Sequence, residues 1–179
     1  MKEIEIKILD VNKAELEKKL LGLGAKLVGK YELESIVFDT PNKDLNSKKE
    51  LLRLRKKNAI STLTHKSSVK EDKTRTCEET EVEVGDFEKT KALLIGLGFI
   101  CSSTKPKKRT TYKLNNSLIE IDEYKEIPTF FEVESPNEKE LEEIVKLLGY
   151  SMKDTKTWTG WKVFNHYGKE LESAENVKH

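Results

Sequence analysis

Charged and aliphatic residues alternate through the first segment of this chain. Residues 3–8 read Glu-Ile-Glu-Ile-Lys-Ile, so every second position carries a charge and the positions between carry isoleucine. Successive side chains of a β-strand point to opposite faces of the sheet. The segment is therefore predicted to be a strand whose two carboxylates and one ammonium share a single face.

The same alternation recurs along the chain. Charged residues occupy alternate positions in residues 52–55, 79–84, 120–122 and 132–134, and Lys107 and Arg109 repeat the spacing in basic form. One such strand is usually a solvated sheet face. Together, the six strands favour a closed sheet whose charged faces line a cavity, with acidic groups suited to divalent cations and basic groups suited to phosphate oxygens.

The composition describes a highly charged but balanced chain. It has 179 residues, of which 36% are hydrophobic and 36% are charged, with 33 basic residues against 32 acidic ones. This length predicts one domain with a proper core. The near balance of charge argues against the global basic field that nucleic-acid-binding proteins use.

The sequence carries no signal for export or for a metal-binding cysteine cluster. Cys77 and Cys101 lack the C-x-x-C spacing of zinc sites. No stretch approaches the ~20 apolar residues of a membrane span, and the first residues form no apolar signal region. We therefore expect a cytoplasmic protein with no membrane partner.

A strand, a turn and a helix ended by glycine recur three times. The predicted helices span residues 14–23, 87–97 and 139–148, and Gly24, Gly98 and Gly149 follow them. Their apolar stripes need an apolar partner, which the isoleucine and valine faces of the strands supply. The helices should therefore cover the outside of a sheet whose inside is charged. Further strands, mostly antiparallel, are predicted at residues 31–38, 50–55, 60–65, 108–114 and 117–122.

Three segments lie outside this repeat. Residues 67–74 are polar without periodicity, which predicts a plain loop, with a mobile lid as the alternative. Two tryptophans, a phenylalanine and a tyrosine recur at helical spacing within residues 158–167, which favours a terminal helix docked on the core over a base-stacking platform. Residues 168–179 are predicted to form a flexible tail, which leaves residues 1–167 as the domain.

Seven short motifs occur in a fixed order along most of the chain. They are ExExK at residues 3–7, FDTP at 38–41, LRLR at 52–55, LTHK at 63–66, KKR at 107–109, ID at 121–122 and FEVE at 131–134. Together they resemble the CYTH family, which groups class IV adenylate cyclases, thiamine triphosphatases and inorganic triphosphatases and is also called the triphosphate tunnel metalloenzymes.

The resemblance implies an α+β fold: a single-domain, eight-stranded antiparallel β tunnel with a charged interior and helices on the outside. It also implies that this tunnel binds a linear triphosphate together with Mg²⁺ or Mn²⁺. In one departure, Cys77 stands where the family often has an arginine, and Arg75 lies two residues earlier. This departure leaves open which of Arg75, Glu79, Glu81 and Glu83 face the ligand.

The charged residues divide into two predicted roles. A triphosphate carries about four negative charges near neutral pH, so its site must supply several cations. The predicted triphosphate-binding residues are Lys7, Arg53, Arg55, Lys66, Arg75, Lys107 and Arg109, and Lys7, Lys66 and Arg109 are also the predicted catalytic residues. The predicted metal ligands are Glu3, Glu5, Asp122, Glu132 and Glu134, with Glu79 and Glu81 as further candidates.

The attacking oxygen decides which reaction such a site performs. Attack by a nucleotide's own 3′-hydroxyl gives a cyclic monophosphate and pyrophosphate, whereas attack by water gives hydrolysis. The resemblance to the family in length and in the LRLR and FEVES strands favours a class IV adenylate cyclase-like enzyme that converts ATP to cyclic AMP. Hydrolysis of tripolyphosphate or thiamine triphosphate is the alternative. A non-catalytic polyphosphate-binding domain and an RNA-binding module using residues 105–113 are further alternatives, and a homodimer is left open.

Overall fold

A computed structural model describes residues 2–71 and 73–169, except for the side chains of residues 2, 3, 69–71 and 102–105. The strands are β1 (Lys2–Ile8), β2 (Lys26–Asp39), β3 (Glu50–Lys57), β4 (Ile60–Glu71), β5 (Arg75–Val84), β6 (Ile100–Leu114), β7 (Ser117–Glu123) and β8 (Phe130–Ser135). The helices are α1 (Lys13–Gly22), α2 (Asp44–Ser47), α3 (Phe87–Gly96), α4 (Glu138–Leu147) and α5 (Gly160–His166).

The eight strands close into one barrel. Their order around the barrel is β1-β5-β4-β3-β2-β6-β7-β8, and β8 returns to pair with β1. All neighbouring strands run antiparallel. The predicted single-domain, eight-stranded antiparallel tunnel is therefore confirmed.

The aliphatic face of the barrel points outward and is covered by helices. Ile6 and Ile8 of β1 are buried on this face. They belong to a core cluster that also contains Leu16 and Leu20 of α1 and Leu141, Ile144 and Val145 of α4. The helices thus bury the strand residues that face away from the tunnel, as the alternation of side chains predicts.

A second outer cluster joins α3 to the strands β2 and β3. Leu54 of β3 packs with Ile36 and Phe38 of β2 and with Phe87 and Leu94 of α3. Leu54 is 0% exposed, whereas the arginines on either side of it point into the barrel. This single strand therefore carries a helix-packing residue and two cavity residues on opposite faces.

The last helix, α5, docks at one end of the barrel. Val163 and Phe164 of α5 are buried in a third cluster with Ile127 and with Phe130 of β8. Just before this helix, the backbone of Lys156 exchanges two hydrogen bonds with that of Lys7 in β1. The prediction of a terminal helix docked on the core is confirmed.

The helix ends follow local sequence signals. Asn12, Asp86 and Asn137 cap α1, α3 and α4 by accepting hydrogen bonds from backbone N–H groups of the first turn. The chain leaves these three helices through Gly24, Gly98 and Gly149, which adopt φ angles of 80°, 92° and 82°. These positive angles suit glycine because it lacks a Cβ atom. The three predicted helices are confirmed.

Several strands are longer than predicted, and the loop predicted at residues 67–74 is wrong for residues 67–71, whereas residues 73 and 74 lie outside the strands. The strand β4 continues to Glu71, and Ser67 pairs with Glu50 of β3 and Glu78 of β5. Pairing with β5 continues to the end of β4 and holds this polar segment extended, so it needs no alternation of apolar residues. Likewise β2 begins at Lys26 and β6 at Ile100, both earlier than predicted.

Two further expectations concern the outer parts of the protein. Most of the predicted flexible tail, residues 170–179, lies outside the described residues. Among the helices that the structure describes, none is long and apolar enough to cross a membrane.

The inside-out packing of β3 makes a testable prediction. Leu54→Ala removes a side chain that is buried outside the tunnel, so it should lower the free energy of unfolding by ~2 to 5 kcal/mol. Urea denaturation followed by circular dichroism measures this loss. Leu93→Ala is the matched control because Leu93 of α3 is 62% exposed, and it should change stability by less than ~0.5 kcal/mol. Equal losses for the two variants would contradict the assignment of faces.

Candidate functional site

The charged face of the barrel lines a single cavity that contains most of the predicted site residues. The predicted residues that line it are Glu5, Lys7, Arg53, Arg55, Lys66, Lys107, Arg109, Glu132 and Glu134. They come from five different strands, β1, β3, β4, β6 and β8, so only closure of the barrel brings them together.

Glu5 is the centre of one ion-pair network. Its carboxylate oxygens lie 2.8 Å from Nη1 of Arg75, 3.0 Å from Nζ of Lys66 and 3.9 Å from Nζ of Lys7. Burial alone would raise the pKa of Glu5, but the positive charges of Lys7, Lys66 and Arg75 lower it below its usual value. Glu5 is therefore ionised and neutralises cations from three strands.

Arg109 is the centre of a second network. Its Nε and Nη2 donate to the two carboxylate oxygens of Asp122 at 2.6 Å each, a bidentate pair. The same guanidinium also donates to Glu120 and, at 3.2 Å, to Glu132. Burial acts to lower the pKa of Arg109, but these three carboxylates together hold it well above its usual value.

Three carboxylates lie close enough to hold one metal ion. Carboxylate oxygens of Glu120, Glu132 and Glu134 lie within 4.8 Å of one another. Burial acts to raise the pKa of Glu132, but Lys7, at 3.3 Å, and Arg109 lower it well below its usual value. Three hard oxygen ligands at this spacing fit a divalent cation such as Mg²⁺.

This set of three differs from the predicted metal ligands. Glu132 and Glu134 belong to it, and Glu5 lies opposite Glu134 in the pairing of β1 with β8. Asp122 instead pairs with Arg109 and Lys107, and the side chain of Glu3 lies outside the described part of the chain. Glu120 was not among the predicted metal ligands, although its position two residues before Asp122 placed it on the same face of β7.

Two arginines in the cavity keep buried donors without a partner. In the described part of the chain, the Nε atoms of Arg53 and Arg55 make no hydrogen bond. Burial lowers the pKa of Arg55 to about 10, and the nearby charges of Arg53 and Arg109 add to this effect. A buried donor left unpaired costs free energy, and the positive charge of both guanidinium groups suits this wall of the cavity to an anion.

The positive charge of Lys107 is destabilised in the same region. Its ammonium lies 2.5 Å from Asp122, yet burial and the neighbouring charge of Arg109 together lower its pKa to about 8. An added anion beside Lys107 would relieve this repulsion between cations.

The structure also shows which way the charged side chains of β5 point, which the sequence left open. Arg75 pairs with Glu5, and a carboxylate oxygen of Glu79 lies 3.5 Å from Arg53, so both side chains point into the barrel. Glu81 accepts a hydrogen bond of 2.7 Å from Thr64 on the same face, and Glu83 is exposed. None of these four residues of β5 is among those that line the described cavity.

The lowered pKa of Lys107 predicts that replacing this lysine stabilises the protein, by an amount that depends on pH. The pKa of Lys107 is about 8 in the folded protein and 10.5 in the unfolded chain. Between these pH values the unfolded chain binds the ammonium proton more tightly, so the contribution of Lys107 to the free energy of unfolding becomes more favourable as pH rises. Lys107→Met in metal-free buffer should therefore stabilise the protein by roughly 1 to 3 kcal/mol at pH 7, and the gain should shrink towards pH 10.

Urea denaturation of both proteins at several pH values measures this difference. Lys108→Met is the matched control because Lys108 is exposed on the next position of β6. A Lys107→Met protein that is less stable than the wild type at pH 7 would contradict the prediction.

Comparisons with known proteins agree with this architecture. The family model described as the CYTH domain matches residues 1–157. A Methanocaldococcus jannaschii protein named as a candidate adenylate cyclase is 31% identical over 154 residues, which cover 83% of this chain and 88% of that protein. A solved structure from Pyrococcus horikoshii OT3 has a TM-score of 0.78 and 29% identity, with coverage of 90% of this chain and 98% of that one.

A plant structure extends the likeness in fold. It is a Hippeastrum protein, described as a candidate adenylyl cyclase with a dominant triphosphatase activity, and it has a TM-score of 0.66 at 22% identity over 94% of this chain and 97% of its own. Because the family model covers most of the sequence and the eight-stranded tunnel is present, the chain belongs to the CYTH family.

Proposed function

We propose that this protein is a metal-dependent enzyme that acts on a linear triphosphate bound inside the barrel. The observation that carries the proposal is a pair of half-buried arginines in the cavity, Arg53 and Arg55, whose Nε donors have no partner in the described structure. Glu132 and Glu134, two of the three carboxylates that fit a divalent cation, line the same cavity. Positive charge beside a metal site is what a chain of phosphates requires.

Three further cations of the cavity are held in place by internal ion pairs. Lys7 and Lys66 contact Glu5, and Arg109 contacts Asp122. These pairs fix the positions of the three residues that we propose as catalytic, so that little reorganisation is needed when a phosphate arrives. Arg53, Arg55 and Lys107 would then make the additional contacts to phosphate oxygens.

The proposed metal ligands are Glu120, Glu132 and Glu134, and the proposed ion is Mg²⁺ or Mn²⁺. These hard cations accept one or two carboxylates together with phosphate oxygens. When bound, the ion would supply Lewis-acid polarisation of a phosphoryl oxygen. Lys7 and Arg109 contact Glu132, so they keep this ligand oriented and ionised.

We favour a class IV adenylate cyclase-like reaction, in which the 3′-hydroxyl of ATP attacks the α-phosphorus and pyrophosphate leaves. The supporting observation is the 31% identity to the Methanocaldococcus jannaschii protein that is named as a candidate adenylate cyclase. The family resemblance of the LRLR and FEVES strands supports the same choice.

Hydrolysis of the triphosphate is the second candidate. The cations of the cavity would contact the phosphate groups of any triphosphate, with or without an organic group attached. A water molecule that attacks in place of the 3′-hydroxyl would give phosphate release. The Hippeastrum protein of similar fold is described as having a dominant triphosphatase activity. Tripolyphosphate and thiamine triphosphate are the substrates to test beside ATP.

Product analysis tests the proposal. The protein is incubated with ATP, tripolyphosphate or thiamine triphosphate, each with Mg²⁺, with Mn²⁺ and with EDTA, and the products are separated by chromatography. Cyclic AMP with pyrophosphate would support the cyclase, and phosphate release would support the triphosphatase. Metal-independent retention of polyphosphate without any product would overturn the enzymatic proposal.

Loss of one carboxylate from the metal cluster should abolish most of the activity. Glu134→Gln and Glu120→Gln should each lower kcat by at least ~100-fold with the fold retained, because each removes a charged oxygen ligand. Initial rates at saturating Mg²⁺ and circular dichroism measure the two effects. Glu78→Gln is the control because Glu78 is exposed on the outer face of β5. Unchanged rates for Glu120→Gln would remove it from the proposed metal site.

The planar shape of the arginine side chain should matter as well as its charge. Arg55→Lys keeps the positive charge but loses the bidentate fork, so kcat/KM should fall by an amount equivalent to roughly 1 to 3 kcal/mol. Steady-state kinetics measure the change. Lys56→Arg, at the exposed neighbouring position, should leave kcat/KM within about twofold of the wild type. If both variants behave alike, Arg55 does not contact the triphosphate.

A further inference from the structure

One end of the cavity is aromatic and apolar, unlike the charged centre. Its lining residues at this end are Val37, Leu51, Tyr124, Phe130 and Trp161. Aromatic side chains do not bind a chain of phosphates well, because phosphate oxygens need hydrogen-bond donors and positive charge. This end therefore calls for a separate explanation.

The pairing of strands places Val37 beside Arg53 and Leu51 beyond it. On β2 and β3, Ser35 lies opposite Arg55 and Val37 lies opposite Arg53, so Leu51 is one further two-residue step along the same face. Each such step advances ~7 Å along the strand. On β3 an apolar residue thus follows directly after the arginines, and it lies opposite Lys66 of β4.

The strands on the other side of the barrel reach aromatic residues in the same direction. Glu132 lies opposite Glu120, and Phe130 lies opposite Asp122 in the next step. On β8 the clustered carboxylates are therefore followed directly by Phe130, and two residues beyond Asp122 the cavity is lined by Tyr124. A ligand with its phosphates in the centre would direct its remaining part to the aromatic end.

Tyr124 and Phe130 are already used by the fold. Their rings stack with centroids 6.0 Å apart, and Tyr124 meets Phe164 of α5 edge to face at 4.9 Å. These contacts fix α5 across the end of the barrel. They account for Tyr124 and Phe130 without any ligand.

Trp161 differs from its neighbours on α5. Val163 and Phe164 are buried in the cluster that docks the helix, at 0% and 1% exposure, whereas Trp161 is 37% exposed and lines the cavity. Docking of α5 therefore does not account for this indole. Large aromatic side chains left exposed at the edge of a pocket are typical of ligand contacts.

We propose that Trp161 stacks on a planar heteroaromatic ring carried by the triphosphate, so that triphosphates with such a ring, as in nucleoside triphosphates, are preferred over inorganic tripolyphosphate. This inference rests on the proposed function, since the phosphates must occupy the charged centre. The docked α5 is thus both a structural helix and a base-stacking platform, which the sequence treated as exclusive alternatives.

Substrate competition in kinetics tests the inference. The ratio of kcat/KM for ATP to that for tripolyphosphate should fall ~5- to 150-fold in Trp161→Ala, the range expected for the loss of one base–aromatic stack. Trp161→Phe keeps a ring and should recover most of the ratio. Thiamine triphosphate, which carries different heteroaromatic rings, distinguishes a general ring preference from a preference for the nucleobase.

Tryptophan fluorescence provides a readout that does not depend on turnover. The chain contains two tryptophans, so Trp158→Phe leaves Trp161 as the single emitter. In stopped-flow mixing before turnover, ATP should quench this emission more strongly than tripolyphosphate does at equal occupancy. Trp161→Phe is the matched control, because the ring of Trp158 packs at a tilted angle against His166 instead, at 5.1 Å between centroids, and its emission should respond equally to both ligands.

The outcomes separate this inference from the proposed function. If the wild type turns over ATP and tripolyphosphate and Trp161→Ala changes both in proportion, the stacking role is overturned while the triphosphate enzyme stands. If Trp158→Phe does not fold, the kinetic ratio in Trp161→Ala and Trp161→Phe still decides. If the wild type neither binds nor converts any triphosphate, the proposed function fails and the inference fails with it.

Discussion

The bidentate ion pair between Arg109 and Asp122 organises the interior of the barrel. Asp122 is 0% exposed, and both of its oxygens accept from the guanidinium at 2.6 Å. A buried charge without a partner is strongly unfavourable, so neither residue can be removed without disrupting the other. The same guanidinium reaches Glu120 and Glu132, and in this way the pair sets the positions of two of the three clustered carboxylates.

Stability and binding are assigned to opposite faces of the same strands. The outer faces of β1 and β3 bury Ile6, Ile8 and Leu54 under helices, and this burial drives folding. The inner faces carry charge that the fold tolerates at a cost, visible in the lowered pKa values of Arg55 and Lys107. Sites that bind highly charged ligands commonly compromise stability in this way.

The cavity changes character along its length. Carboxylates cluster around Glu132, Arg53 and Arg55 line another part of the cavity, and aromatic residues with Trp161 line one end. Under the proposed function, these three regions would receive a metal ion, a phosphate chain and an organic ring. In that proposal, the aromatic end is what would favour a substituted triphosphate over an inorganic one.

The sequence by itself determined the faces of the strands and the limits of the main helices. Alternation placed Leu54 outside and Arg55 inside, and capping residues and glycines delimited α1, α3 and α4. Such features depend on chemistry within a few residues of chain, which a local pattern records. The seven motifs identified the family for the same reason, and the family supplied the closed barrel.

Only the tertiary structure decided which charged residues become partners. Asp122 was predicted to bind metal, yet it lies opposite Arg109 in the hairpin of β6 and β7, while Glu120 lies opposite Glu132 of β8. The extension of β4 through its polar end and the position of Trp161 beside the cavity were likewise set by neighbouring elements. Register between strands and the docking of a distant helix are long-range properties, and a one-residue shift in register reverses which face a side chain occupies. No local pattern encodes that choice, so it emerges only when the barrel closes.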